Sequence, residues 1–229
     1  SKIAGRISLV VGQYFLLKPN KGIGTLFGKF ENIQPREVTV VGAGVAGKEA
    51  IGKGIDSGAH VNVLDISEHK LQELAKEFGS ENISYINSTP ENISDAVSKS
   101  DLVIGSVYVV GKEAPKVITK EMLKGMKPGS VLVDISIDQG GCIETSRPTT
   151  HDDPVFLEEG VVHYCVTNMP GAVPLTASLA LNHATLPFIE KIANLGLEKA
   201  CASDNHLANG LNIADGEVRH PSVEAALNS

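Results

Sequence analysis

No stretch of this sequence is a membrane span: no apolar run approaches the roughly 18 residues that a bilayer-crossing helix needs. Positive charge is also in short supply. Lys and Arg number 20 against 27 Asp and Glu, a formal net charge of −7, which argues against the clustered basic surface that a nucleic acid calls for. Small anionic ligands stay open, because helix termini and backbone N–H groups hold phosphates locally. Cysteine is scarce. Cys142, Cys165 and Cys201 are odd in number and form no C-x-x-C pair, so they read as free thiols in a reducing, cytoplasmic setting. Seven histidines are scattered with no H-E-x-x-H or other metal-like spacing, and no metal is expected. The opening residues Ser1–Arg6 offer neither the apolar core nor the cleavage site of a signal peptide. The sequence has no initiating Met, which suggests a processed or trimmed form of something longer.

What is present is enough apolar material for a full core: 42% of 229 residues are hydrophobic and 21% charged. The chain is organised around Val38-Thr39-Val40-Val41-Gly42-Ala43-Gly44-Val45-Ala46-Gly47. β-Branched residues lead into a G-x-G-x-x-G pattern and a helical segment follows, the context in which that pattern signals a dinucleotide. Gly42 would permit the sharp turn, Gly44 would admit a pyrophosphate close to the backbone, and Gly47 would let the helix pack on the strand. The helix N-terminus adds free N–H groups and a partial positive charge. Asp65 ends the next apolar run, where a carboxylate accepts hydrogen bonds from an adenosine ribose and repels a 2′-phosphate.

The residues around this stretch set out the rest. Ile3, Ile7, Val10, Val11, Tyr14 and Leu17 recur at helical spacing over 2–17. A Gly-rich connection then runs to Pro35. A helix and loop ahead of the first strand exceed a minimal nucleotide fold and read as the tail of a preceding element. From Glu37, strands and helices alternate: helix 45–57, strand 60–64, a helix from the N-cap Ser67 to Phe78, strand 83–86, and helix 91–98. Strand 101–107 with its loop, helix 120–126, strand 131–136 and strand 161–166 follow. Such alternation predicts an α/β, Rossmann-type doubly wound parallel sheet, with a long helix before it and a helical segment after it. An Ala/Leu-rich helix is expected over 174–195, with Pro187 a candidate interruption, and 196–229 mixes Gly, Asn and short helical pieces.

Ligands of open α/β sheets sit outside the carboxyl ends of the strands. This selects the turn 42–47, Asp65, the loop 105–111, the loop 136–142 and the segment 166–171. Asp138 is the carboxylate at the mouth of the fifth strand, either an acid/base or orienting group or a turn-forming Asp bonded to its own loop. Asp134, inside the strand, suits a loop-organising role. Lys70 either reaches the ribose or is solvated. Cys142 follows two glycines but lacks a base, and a bystander thiol is the better reading. Arg147-Pro148-Thr149-Thr150-His151 reads as a hydrogen-bonded loop.

Asp134-Ile135-Ser136-Ile137-Asp138-Gln139-Gly140-Gly141-Cys142, Ser146-Arg147-Pro148-Thr149-Thr150 and Tyr164-Cys165-Val166-Thr167-Asn168-Met169-Pro170 closely resemble the L-alanine dehydrogenase family. The likeness extends over essentially the whole chain, including Ala4-Gly5-Arg6 and the run from Val109 to Lys116. The sequence also resembles the NAD(H)-binding component of proton-translocating transhydrogenase. That component differs in the segment equivalent to 137–141, and Asp138 favours the dehydrogenase. The resemblance implies an NAD-dependent, reversible oxidative deamination of L-alanine to pyruvate and ammonia, with a homohexamer as the assembly. It implies that Gly42, Gly44, Val45, Ala46 and Gly47 meet the pyrophosphate, with Ser1 near the phosphates, and that Asp65 and Lys70 meet the ribose. Ser106 and Val107 would line the cleft; Ile137, Asp138, Val166, Asn168 and Met169 would surround the nicotinamide, with Asp138 catalytic. It also implies a substrate domain, not contained in this sequence, that supplies an Arg and a Lys for the carboxylate and carbonyl and a His as acid/base. Residues 1–36 would link to that domain, 37–171 form the cofactor domain, and 172–229 pack back on the substrate side.

Overall fold

The computed structural model describes residues 1–28, 30–109 and 113–228. Val110, Gly111 and Lys112, part of the loop 105–111 and of the run 109–116 singled out above, lie outside the described residues. The chain divides into two compact units, Ser1–Ala172 and Val173–Ser229.

The first unit is built on a sheet that has seven strands among the described residues. β1 (Glu37–Val41), β2 (His60–Asp65), β3 (Ile83–Asn87), β4 (Leu102–Gly105), β5 (Val131–Asp134), β6 (Val155–Glu158) and β7 (Val161–Tyr164) stand in the order β3-β2-β1-β4-β5-β7-β6. All pairings are parallel except that of β6 with β7. Val38, Val40 and Val41 of β1, and all of Leu102–Ile104 and Val131–Val133, are buried. Continuous burial explains why these strands are dominated by apolar and β-branched residues: a parallel sheet is covered on both faces. The covering helices are α1 (Lys2–Phe15), α2 (Val45–Asp56), α3 (Glu68–Phe78), α4 (Pro90–Lys99) and the short α5 (Lys120–Leu123). Ser67, Thr89 and Thr119 cap α3, α4 and α5 through their side chains.

α1 packs as a layer of this unit: Ile7, Leu9 and Phe15 are buried, the Phe15 ring lies 5.8 Å from Tyr164 of β7, and Arg6 pairs with Glu49 of α2 at 2.6 Å. Three local expectations change. The helix expected over 120–126 stops at Leu123. The fifth strand ends at Asp134, whose carboxylate accepts from the Ser136 N–H at 2.9 Å and so turns the chain. β6 is an antiparallel edge that the periodicity did not mark.

The second unit consists of α6 (Pro174–Leu195), α7 (Leu197–Ser203), α8 (Asn205–Gly210), the hairpin β8 (Ile213–Ala214) and β9 (Glu217–Val218), and α9 (Pro221–Leu227). α6 runs unbroken through Pro187, losing only the N–H that proline lacks. Lys191 and Asp204 pair at 2.7 Å within this unit.

One buried group ties the fold to pH. His163 on β7 is fully buried; its Nδ1 lies 3.0 Å from the Val161 carbonyl, so that nitrogen carries the proton. Nε2 lies 2.8 Å from the Thr145 hydroxyl, which donates to it, and Phe156 stacks on the ring. Burial pushes the imidazole below its usual 6.5, Arg147 adds to that, and Glu158 and the Val161 carbonyl oppose it. The folded state therefore binds fewer protons than the unfolded chain, and stability drops as pH falls below about 6.5. We expect Tm to fall between pH 7.5 and 5.5, and His163→Gln to flatten that slope. Asp134, whose carboxyl burial raises, acts in the opposite sense, and the comparison of the two proteins subtracts it out.

Candidate functional site

The strand order reverses between β1 and β4, so their carboxyl ends open a crevice of the kind that holds ligands in such sheets. The glycine turn sits there. Gly42 has φ +96, and a Cβ on it would lie 2.7 Å from the Ser106 carbonyl oxygen. The Ser106 hydroxyl donates to the Gly42 carbonyl at 2.6 Å, pinning the end of β4 to the turn. Gly47 is tighter still: its Cβ would stand 1.9 Å from the Gly42 oxygen. Gly44 is the contrast, with no atom within 4 Å of where its Cβ would be. It is also the N-cap of α2 and makes no side-chain cap, so the first amides of the helix are left for an anion. Val45 is exposed and Ala46 half-buried beside that opening.

Asp65 closes the turn from the β2 side. Its carboxylate accepts from the Ala43 N–H at 2.8 Å and the Ser67 N–H at 2.9 Å, and is 7% exposed. The acid that the glycine pattern calls for thus also sets the shape of the glycine turn. The Lys70 side chain is partly exposed, and its ammonium lies 3.4 Å from Asp65 as an ion pair at the edge of the site.

At the next strand ends, the Ser136 hydroxyl donates to the Val107 carbonyl at 2.7 Å. A tight 3-10 turn, Ile137–Gln139, then carries Asp138 to the surface. One Asp138 oxygen accepts from the Asn168 N–H at 3.2 Å. Asn168 holds φ +50, and His151 Nε2 lies 3.2 Å from its carbonyl. Asp138 and Asn168 therefore meet, as do Gly42 and Ser106. Ile137, Val166 and Met169 are buried at 4%, 0% and 3% exposure and form packing beneath the loop rather than its surface. Asp134 is fully buried and accepts from Ser136, Cys142, Ile143 and Ser146, the loop-organising role suggested by its place in the strand. Burial and the nearby Asp134 charge push the Cys142 thiol up to about 12, and burial does the same to Cys165. Neither is a thiolate nucleophile at neutral pH. The Gln139 Oε1 atom is buried without a partner among the described residues. Lys116 escaped the sequence reading: its ammonium donates to the carbonyls of Gly140 and Gly141, a contact that no spacing rule connects.

Among the described residues, no group of three or more His, Cys, Asp or Glu is placed to hold a metal ion, and no helix is long and apolar enough to cross a membrane. The open Gly44, the uncapped α2 N-terminus and the Asp65 carboxylate fit a dinucleotide, and with the sheet order they define a Rossmann-type nucleotide-binding domain.

The comparisons with known proteins narrow this class. The family model described as alanine dehydrogenase/PNT, C-terminal domain, matches residues 8–221, and the chain belongs to that family. An alanine dehydrogenase of Halomonas elongata is 47% identical over 226 residues, covering 99% of this chain and 61% of the relative. A solved L-alanine dehydrogenase superposes with TM-score 0.93 at 43% identity, covering 99% of this chain and 62% of that one. A solved transhydrogenase from Sinorhizobium meliloti gives TM-score 0.75 at 26% identity, with coverage of 96% and 59%. The chain thus spans about three fifths of the length of the curated relatives it matches. A nicotinamide cofactor follows from this family and its nucleotide-binding fold.

Proposed function

We propose that this chain is the NAD(H)-binding part of an alanine dehydrogenase, a cytoplasmic homohexamer that reversibly converts L-alanine to pyruvate and ammonia. The observation that carries the reading is Asp138, exposed at the carboxyl end of β5 with one oxygen engaged by the Asn168 N–H. It sits in a chain 47% identical to a protein named alanine dehydrogenase. Gly42, Gly44, Val45, Ala46 and Gly47 would hold the pyrophosphate, Asp65 and Lys70 the adenosine ribose, and Ser106 and Val107 the wall between them. Asp138 and Asn168 would flank the nicotinamide, with Ile137, Val166 and Met169 as the packed floor. When bound, NAD supplies the hydride acceptor. The free oxygen of Asp138 would orient and deprotonate the attacking water or the amine. Residues 1–36 and 172–229 would join a substrate domain carrying the Arg, Lys and His that grip L-alanine.

Two results are expected of the purified 229-residue chain. It binds NADH without producing NADH from NAD and L-alanine, because removing catalytic groups that act as a unit costs orders of magnitude. Robust turnover would sink the claim that the substrate half is essential. Joined to that half, the chain gains alanine-dependent NADH formation, and failure to do so would overturn the assignment. The Asp65 carboxylate also predicts NAD over NADP: we expect NADPH to bind at least about 30-fold more weakly than NADH, as a 2′-phosphate would meet a buried negative charge. Equal affinities would refute it.

A further inference from the structure

The loop that presents Asp138 is held from two sides by opposite charges. Inside, the buried Asp134 carboxylate accepts from the N–H groups of Ser136 at 2.9 Å, Cys142 at 3.0 Å and Ile143 at 3.3 Å, and from the Ser146 hydroxyl at 2.7 Å. Outside, the Lys116 ammonium donates to the carbonyl oxygens of Gly140 and of Gly141, the latter at 2.8 Å. The two charges meet on one peptide unit. The Gly141–Cys142 bond gives its oxygen to Lys116 and its N–H to Asp134, so its dipole lies between a cation and an anion. Gly141 has φ +77, and a Cβ on it would approach Asp134 Oδ2 to 2.7 Å, so only glycine lets this peptide sit there. The backbone of the segment carrying Lys116 is tied to the same loop, through Ala114 N–H to the Gln139 carbonyl and Val117 N–H to the Cys142 carbonyl.

We propose that Lys116 and Asp134 are positioning residues for Asp138: together they clamp the 136–143 loop and fix where its carboxylate stands relative to the nicotinamide. The proposal rests on the NAD(H)-binding reading above. Charge-assisted hydrogen bonds are about twice as strong as neutral ones, and Asp134 is bonded firmly enough to hold the loop although burial raises its pKa. Among the described residues neither side chain is hydrogen-bonded to the glycine turn or to Asp65, so the clamp governs the nicotinamide end of the cofactor and leaves the adenosine end alone.

Lys116→Met is the informative variant, because the side chain is exposed and its loss leaves no buried charge. The chain contains no Trp, so NADH fluorescence is read directly. We expect the NADH Kd of Lys116→Met to stay within about threefold of the unsubstituted chain, about 0.65 kcal/mol. The fluorescence of the bound nicotinamide should change, and Lys116→Arg should restore most of it. Amide hydrogen exchange at Gly140–Ile143 should accelerate about tenfold or more while β1 and β4 are unaffected. Asp134→Asn should accelerate the same amides, with a fall in Tm as well. Unchanged exchange and unchanged fluorescence in Lys116→Met overturn the clamp. So does loss of affinity together with global exchange, which would mean a general structural role. If the unsubstituted chain fails to bind NADH, the functional reading falls on that control, and the exchange data still decide whether the loop is clamped.

Discussion

Gly44→Ala is expected to leave the fold intact and weaken NADH binding by about 100-fold, some 2.7 kcal/mol, whereas Gly47→Ala is expected to damage both. The two glycines stand three residues apart in one motif but face different surroundings. An alanine methyl at 44 meets nothing within 4 Å, and the residue has an ordinary φ of −70. Its folding effect is therefore neutral or slightly stabilising, since alanine reduces the entropy of the unfolded chain. The methyl instead occupies the space through which a pyrophosphate would reach the α2 amides. At 47 the methyl would stand 1.9 Å from the Gly42 carbonyl oxygen and 2.7 Å from the Ser106 hydroxyl. The first of these is backbone, so α2 must move off β1. Overpacking of this kind costs roughly 3 kcal/mol, about 10 °C in Tm for a domain of this size, and it misaligns the anion site as well. NADH fluorescence titration and thermal melts of both variants check this. Native affinity in Gly44→Ala would mean that the pyrophosphate does not lie over this turn.

The sheet was legible because buried parallel strands leave short runs dominated by β-branched and apolar residues. Val38–Val41, Val61–Leu64 and Val131–Val133 are each flanked by helical periods and glycine or proline stops. The glycine turn and Asp65 were legible for a different reason: a backbone that must approach a phosphate closely restricts residue identity at fixed offsets. Where partners come from far along the chain, those local rules fail. The period of α1 marked a helix but not the sheet face against which Phe15 and Leu9 pack. β6 (Val155–Glu158) carries an apolar Val155-Phe156-Leu157 run but is half-exposed, bounded by Asp152-Asp153-Pro154 and Glu159-Gly160, and followed directly by β7, so it falls outside the strand–helix alternation that marked the other strands. Ser106 belonged to the site by position, yet its hydroxyl is already engaged by the Gly42 carbonyl. Lys116 looked like any solvated lysine, since its two acceptors are glycine carbonyls more than twenty residues on. Asp134 was separable from Asp138 because one falls inside the strand and the other in the loop beyond it.

Asp138→Asn is expected to lower alanine-dependent NADH formation by about a thousandfold, in a protein carrying this chain together with its substrate half. The NADH Kd should remain within about threefold. The separation follows from geometry. Asp138 is exposed, and the only hydrogen bond it accepts among the described residues comes from the Asn168 N–H at 3.2 Å. An asparagine keeps an oxygen for that bond, so the loop and the left-handed Asn168 stay where Asp134, Lys116 and His151 hold them. What disappears is the negative charge and the capacity to take a proton. Little stability should be lost, since no buried partner is orphaned. A charge acting at the reacting centre and one merely shaping a turn therefore make opposite forecasts. If Asp138 were only a turn-forming residue, asparagine, which forms such turns as readily, would leave kcat within a few-fold of the native value. A thousandfold loss of kcat with unchanged Tm and unchanged NADH affinity can come only from the chemistry. Retention of activity within tenfold would return Asp138 to the backbone role, and the search for the proton acceptor would move to the substrate half.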